Sequence, residues 1–273
     1  MSFEHAAPRA VSSSAAWIAG FLRQMLAVAE SDVRKLRHDP AELLTRIVQP
    51  MLWLLVFGEV FTHSRAIPTP GMSYLDFMAP GVLAQSVLFA AIFYGISVIW
   101  DRDLGVLHKF LVSPAPRPAL VLGRALASGA RGLAQAAMVV GLAWVLGVNV
   151  RFDPVPIAGI VAMVMLGSAV FATFSLIVAC VVKTRERFMG IGQVLTMPLF
   201  FASNAIYPVD MMPSWLQAIA RGNPLTYQVD ALRALMIEGA HSTYGLGMDF
   251  GVQFLALGVL VAIGSRLYPN IVN

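Results

Sequence analysis

The chain has 273 residues, of which 58% are hydrophobic and 12% charged, with a formal net charge of +4. Soluble domains carry about 25% charged residues. The apolar residues here fall into blocks that are long enough to cross a hydrocarbon layer of ~30 Å. This composition excludes a water-soluble core, and the scattered basic residues form no nucleic-acid-binding patch. We therefore expect an all-α integral membrane protein.

The N-terminal part of the chain is predicted to lie outside the bilayer. Residues 1–13 are polar and small, and we expect a mobile tail there. Residues 14–39 repeat apolar positions at helical spacing between basic ones, which is typical of an amphipathic helix on the membrane surface. A soluble helix packed on a partner is the alternative. Residues 14–273 are expected to form a single transmembrane domain.

Six apolar segments are predicted to span the membrane, at about 47–62, 80–100, 125–148, 157–182, 188–205 and 248–268. With the N-terminus inside, 14 of the 19 Lys and Arg residues lie in inner segments, four in outer segments, and Arg131 within the third span. Positive residues are enriched in cytoplasmic loops. Both termini are therefore predicted to be cytoplasmic.

The outer connection at 206–247 is longer than a turn requires, and prolines interrupt its helical pattern. These are Pro208, Pro213 and Pro224, and the headgroup-type aromatic residues Trp215 and Tyr227 lie among them. Neither of its short apolar stretches could span a bilayer. We predict a re-entrant helical hairpin at 206–240 that dips into the outer leaflet.

The sequence contains none of the catalytic motifs that we considered. It has no G-x-x-x-x-G-K-[ST] loop, no G-x-S-x-G elbow and no H-E-x-x-H helix, and its five histidines lie in separate segments. The expectation is a protein without enzymatic activity, resident metal or cofactor.

Polar residues within the predicted spans are candidates for a translocation path or for contacts between helices. Glu59 is either a buried pathway group or a water-facing residue at the outer rim, and the sequence favours neither. Arg131 lies near the inner end of its span, where snorkelling to the headgroups is expected. Gln135, one turn further on, is a further candidate. Gln85 and Asn204 are expected to form interhelical hydrogen bonds.

The inner connection begins with charges and continues into a leucine-rich stretch that ends at Pro114. Leu104, Leu107 and Leu111 share one helical face. A short, stiff helix at the cytoplasmic surface would suit force transmission from a partner. An ordinary juxtamembrane helix has the same pattern, and the pattern alone favours that simpler interpretation.

This segment resembles the signature of ABC-2 type exporter permeases, in which an acidic-Arg-acidic-x-Gly run precedes a leucine-rich stretch and a proline. The run at 101–105 matches it, although Asp103 stands where Glu is common. A second resemblance covers 199–233, including Asn223 and Arg233, with Asn204-Ala205 where a Ser-Gly pair is commoner. The nearest likeness is to daunorubicin-resistance and nodulation-factor export permeases.

The resemblance implies the transmembrane subunit of an ATP-driven exporter in a bacterial inner membrane. It would move a lipid-like or amphipathic substrate (a drug, glycolipid or lipid) out of the cytoplasm or inner leaflet. ATP and Mg would bind to separate cytoplasmic ATPase subunits, and a second permease subunit would complete the path among membrane lipids. The alternatives are an ion-gradient-driven secondary transporter and a membrane-embedded lipid-modifying enzyme.

The resemblance also implies roles for particular residues. The ATPase-coupling residues would be Asp101, Arg102, Asp103, Leu104, Gly105, Leu107, Phe110 and Leu111. The hairpin residues would be Pro208, Pro213, Trp215, Asn223, Pro224, Tyr227 and Arg233.

Overall fold

A computed structural model describes residues 40–64, 71–104, 117–182 and 184–268, together with Gly20, Arg23, Leu26, Glu30, Ile67 and Thr69. Within these residues the fold is all-helical, as predicted, with one isolated antiparallel bridge between Val150 and Ile237. The α-helices are α1 (Pro40–Leu52), α2 (Glu59–Ser64), α3 (Tyr74–Asp103), α4 (Arg117–Val145), α5 (Pro154–Val181), α6 (Arg185–Phe201), α7 (Ser214–Gly222), α8 (Pro224–Met236) and α9 (Leu246–Leu267). Four residues of the predicted surface helix are described, and each is helical; the rest of that helix lies outside the described residues.

The first helical segment is continuous but irregular. A π-helical stretch, Trp53–Gly58, joins α1 to α2. Pro50 lies inside α1, where it supplies no N–H to the carbonyl of Arg46 and its ring crowds that carbonyl. Irregular helical turns commonly occur near such a proline. The predicted span at 47–62 is therefore helical, with a widened middle.

In the part of the chain that the structure describes, four helices are long and apolar enough to cross a membrane, namely α3, α4, α5 and α9. They cover the second, third, fourth and sixth predicted spans. Helices also lie over the first and fifth segments, but α6 has only 17 residues and the first is interrupted, so spanning by these two stays a prediction. α3 begins six residues before the predicted boundary because Ser73 caps it, its Oγ accepting a 3.0 Å hydrogen bond from the Asp76 N–H.

α3 is the central helix of the bundle. In its most apolar stretch 78% of the residues are buried, against 11% for α9. It packs against α4, α5, α6 and α8. Gly81 allows a close approach between backbones, because a Cβ at this position would overlap the Ala205 carbonyl in the turn after α6. The largely exposed apolar surface of α9 is suited to contact with lipid.

The two ends of the bundle are held by different polar contacts. At one end the carboxylate of Asp76 accepts hydrogen bonds from the Asn149 backbone N–H at 3.0 Å and from its side-chain amide at 3.1 Å. The Asn149 carbonyl then accepts from the Glu238 N–H at 3.1 Å. We call this the Asp76 end and the opposite one the Asp101 end. The short helices α7 and α8 lie in the segment that the sequence predicts as a re-entrant hairpin, and α8 ends at the Asp76 end, next to the hydrogen bond between Glu238 and Asn149.

Candidate functional site

A buried ion pair lies at the Asp101 end, where the predicted coupling segment begins. Arg124 Nη2 lies 3.0 Å from Asp101 Oδ2, and both residues are buried. Arg124 also hydrogen-bonds the Tyr268 hydroxyl just after α9. The pair therefore fixes the last turn of α3 against α4 and the end of α9. The sequence placed Arg124 in a connection before the third span, but the structure places it inside α4, because that helix already begins at Arg117.

A second, half-exposed set of charges joins the same turn to α6. Arg185 Nη2 donates a 2.7 Å hydrogen bond to Asp103 Oδ2, and Arg102 donates to Asp103 Oδ1 at 3.1 Å. The Arg185 guanidinium lies 3.5 Å from the centroid of the Trp100 ring, within cation–π range. The first residues of the predicted coupling segment are thus attached to the beginning of α6 as well as to α4.

The remainder of the predicted coupling segment is only partly described. Leu104 follows the last residue of α3 and is 70% exposed. Gly105, Leu107, Phe110 and Leu111 lie outside the described residues. The coupling helix therefore stays a prediction beyond Leu104.

In the predicted hairpin, Asn223 connects α7, α8 and the end of α6. Its Oδ1 accepts a 3.0 Å hydrogen bond from the Leu225 N–H, capping α8. Its Nδ2 donates to the Leu199 carbonyl at 2.7 Å and to the Ala202 carbonyl at 2.9 Å. Pro224 follows as the first residue of α8, where a missing N–H costs nothing. Tyr227 donates a 2.7 Å hydrogen bond to the Arg221 carbonyl.

Arg233 is an internal anchor rather than a headgroup-facing charge. Its Nη2 donates to the backbone carbonyl of Asn204 at 2.7 Å, and its Nε donates to the backbone carbonyl of Phe77 at 3.3 Å. The guanidinium lies 3.9 Å from the Phe77 ring centroid. Arg233 and Asn204, both predicted as site residues, therefore meet, and they join α8 to α3 and to the turn after α6.

The remaining hairpin residues shape the approach to α7. Pro208 precedes a 3₁₀ turn, Val209–Met211, and Pro213 immediately precedes α7, with its carbonyl accepting from the Leu216 N–H at 2.9 Å. Trp215 is exposed and lines an apolar groove of about 670 Å³ between α6 and α7. Apolar grooves of this kind accommodate hydrocarbon.

Sequence analysis missed the role of Asp230, whose carboxylate organises the segment before α9. Its Oδ2 accepts from Ser242 Oγ at 2.9 Å, from the Thr243 N–H at 2.7 Å and from the Tyr244 N–H at 3.1 Å. Ser242 also reaches Asp249 Oδ2 at 2.8 Å. These partners lie 12 or more residues from Asp230, so no local pattern could have shown them.

Two of the predicted span candidates meet at a cavity. Gln85 and Gln135 are buried and line a space of about 260 Å³ between α1, α3 and α4, together with Arg46 and Gln49. Arg131 is half-buried and lies 5.2 Å from the Tyr94 ring centroid, against α3. The sequence identified the two glutamines as candidates, but not Arg46.

Glu59 does not join this cavity. Its side chain is 55% exposed and lies 3.5 Å from His63, one turn further along the same helix. The neighbouring Gly58 packs against Leu75 in the first turn of α3. This geometry places Glu59 near the Asp76 end, on the outside of the described bundle.

The all-helical fold, with four described helices that are long and apolar enough to cross a membrane, is that of a polytopic helical membrane protein. The family model described as "ABC-2 type transporter" matches residues 23–237. The chain belongs to this family.

Related proteins have similar lengths. A putative transport permease ycf38 from Cyanophora paradoxa is 29% identical over 93% of this chain and 90% of its own length. The daunorubicin resistance ABC transporter permease protein DrrB1 from Streptomyces coeruleorubidus is 29% identical over 86% of this chain and 82% of its own. Nodulation protein J from Rhizobium leguminosarum bv. trifolii is 25% identical, over 81% of each.

Proposed function

We propose that this permease exports a lipid-like or amphipathic substrate from the cytoplasm or inner leaflet, powered by ATP hydrolysis in a separate ATPase subunit. Drugs, glycolipids and lipids are the substrate classes under consideration. Membership of the ABC-2 family, and relatives named for drug resistance and nodulation, support the proposal.

The observation that carries the proposed mechanism is the charged attachment at the end of α3. Asp101 is bound to α4 and Asp103 to α6. A displacement of the following segment by an ATPase would therefore reach three helices together. Because the Asp101–Arg124 pair is buried and has a discrete geometry, such a displacement would move the ends of α3 and α4 as a unit, with α6 attached more weakly through the half-exposed Asp103–Arg185 pair.

We further propose a topology and a membrane. In this proposal the Asp101 end is cytoplasmic, both termini are inside, and the membrane is a bacterial inner membrane. The first helical segment and α6 complete six spans, and α7 with α8 forms the re-entrant hairpin. The distribution of Lys and Arg and the burial of α8 among α3, α5 and α9 support this arrangement.

The proposed assembly contains two permease subunits and two cytoplasmic ATPases, which would hold the ATP and Mg. The ATPase would dock on the segment from 101 to 111, with Leu107 and Leu111 as apolar anchors. The second permease would be a copy of this chain or a related one, and membrane lipids would cover the exposed apolar surface of α9.

Purification in mild detergent, followed by mass spectrometry of the intact complex, tests the proposal. We expect an ATPase chain to be present with the wild-type permease and to be lost with Leu107→Asp, because an apolar anchor becomes charged. Asp103→Asn should retain the ATPase, since a half-exposed pair contributes little. Absence of an ATPase from the wild-type complex, or its retention by Leu107→Asp, would contradict the proposed docking.

A further inference from the structure

The cavity between α1, α3 and α4 is polar at about half the depth of the bundle. Gln85 lies about 11 residues, or ~17 Å, from the start of α3, and about 18 residues, or ~27 Å, from its end. Gln135 lies about 10 residues, or ~15 Å, before the end of α4. Polar groups at such depth carry a desolvation cost unless they find partners. Their convergence on one cavity therefore points to a function.

Pro50 positions one of these glutamines. Because Pro50 has no N–H, the carbonyl of Arg46 receives no intrahelical hydrogen bond from that position. It accepts instead from Gln135 Nε2, at 3.4 Å. With its amide nitrogen so engaged, Gln135 keeps its Oε1 as a buried acceptor that has no hydrogen-bond partner among the described residues. A buried acceptor of this kind requires a donor from a ligand or from water.

The chemistry of the wall selects among possible ligands. Ionised phosphates and carboxylates only accept hydrogen bonds and would leave Gln135 Oε1 unsatisfied, whereas hydroxyl groups both donate and accept. The amides of Gln49 and Gln85 likewise offer both donors and acceptors. Among the described lining residues no carboxylate balances a cationic ligand, and Arg46 is the one charged side chain. An anion bound to Arg46 would still leave Gln135 Oε1 without a donor. The wall therefore favours an uncharged group with several hydroxyls.

The size and the apolar side of the cavity limit what enters it. Its volume of about 260 Å³ is below the roughly 300–1,000 Å³ that holds a drug-sized ligand. The cavity therefore admits a head group rather than a whole amphiphile. Phe89 and Phe93 line it on the side towards the Asp101 end, with nearly parallel rings 6.1 Å apart. These rings provide an apolar surface where a hydrocarbon chain could leave the polar wall.

We propose that this cavity binds the uncharged, polyhydroxylated head group of an amphiphile, such as the sugar of a glycolipid, with the chain leaving along Phe89 and Phe93. The inference rests on the proposed function, since it names the substrate class that the exporter would take. It places recognition at Gln135, Gln85 and Gln49.

Binding is measured on the purified permease by native mass spectrometry, with three lipids that share dioleoyl chains. They are glucosyl dioleoylglycerol, dioleoyl phosphatidic acid and dioleoyl trimethylammonium propane, and glucose alone is the fourth probe. We expect the glucosyl lipid to bind at least about fivefold more tightly than either charged lipid, since even one net hydrogen bond is worth about that factor. Glucose alone should bind far more weakly.

Matched variants locate this preference in the cavity. Gln135→Leu removes the unsatisfied acceptor and should reduce binding of the glucosyl lipid about fivefold. Gln193→Leu makes the same change on an exposed residue of α6 outside the cavity and should leave binding unchanged. Pro50→Ala restores an N–H for the Arg46 carbonyl and should weaken the glucosyl preference even if Gln135→Leu fails to fold.

Several results would overturn the inference. These are equal binding of the three lipids, preference for either charged lipid, binding of glucose as tight as that of the glucosyl lipid, or equal losses in Gln135→Leu and Gln193→Leu. The assay needs neither ATPase nor transport. A glucosyl preference without a co-purifying ATPase would therefore refute the proposed function and not the binding site, whereas an ATPase-bound permease without the preference would refute only this inference.

Discussion

Replacement of Asp101 tests whether the buried ion pair holds the end of α3. Asp101 and Arg124 have side chains that are 10% and 5% exposed, at an N–O distance of 3.0 Å. Removing one partner of a buried pair strands the other charge and costs about 3–5 kcal/mol. Asp101→Leu should therefore lower the free energy of unfolding by about 3 kcal/mol or more, measured by SDS titration in mixed micelles.

The pair formed by Asp103 and Arg185 is the matched control. Their side chains are 35% and 33% exposed at 2.7 Å, and pairs near the surface contribute about 0–1 kcal/mol. Asp103→Leu should accordingly cost less than about 1 kcal/mol. The comparison applies the same chemical change to a buried pair and to a half-exposed pair.

A double-mutant cycle separates the pair from its surroundings. Asp101→Leu combined with Arg124→Met removes both charges, and the double variant should be more stable than either single variant, because no charge is left stranded. Equal costs for Asp101→Leu and Asp103→Leu, or a double variant whose loss equals the sum of the single losses, would refute this reasoning.

Three further predictions concern packing, the rim and the topology. Gly81→Ala should cost about 1–3 kcal/mol of unfolding free energy by the same titration, since its methyl overlaps a backbone carbonyl, whereas Gly141→Ala has open space. Glu59→Gln should change export less than about twofold in a transport assay, because a surface substitution at an exposed rim position removes no buried contact. In a cysteine-free background, an impermeant thiol reagent applied to intact cells should label Ser214→Cys but not Asn270→Cys.

Each of these has a clear contrary result. Equal stability of Gly81→Ala and Gly141→Ala would show that the close packing at Gly81 does not constrain the side chain at this position. If Glu59→Gln strongly reduces export and shifts its pH response, the Glu59 carboxylate belongs to the translocation pathway. Labelling of Asn270→Cys together with protection of Ser214→Cys would contradict the proposed orientation.

Hydropathy predicted the class of fold and four of the spans because long apolar segments leave few alternatives in a chain of this composition. The helix boundaries were harder to predict from the sequence. α3 begins at Tyr74 because Ser73 caps it, and α4 begins at Arg117, eight residues before the predicted span. The added first turns of both helices contain polar residues. A search for continuous apolar segments leaves such residues out, although a helix accommodates them.

The sequence predicted only part of the candidate sites. Gln85 and Gln135 could be identified because single amides stand out in apolar segments. Their meeting depends on the register of α3 against α4, which no local pattern encodes. The same holds for Arg124, which is 23 residues from Asp101. The missing N–H of Pro50 can be read from the sequence, but the contact of the Arg46 carbonyl with Gln135 depends on the neighbouring helix.

In the proposed mechanism, ATP-driven export depends on the segment that follows Asp101. The direct measurement is ATP-dependent movement of a fluorescent amphiphile in proteoliposomes that contain the permease and its co-purified ATPase. Wild-type vesicles should transport with ATP and Mg and not with ATP alone, and Leu107→Asp should abolish transport while the permease still inserts. Transport without ATP, or undiminished transport by Leu107→Asp, would contradict the account.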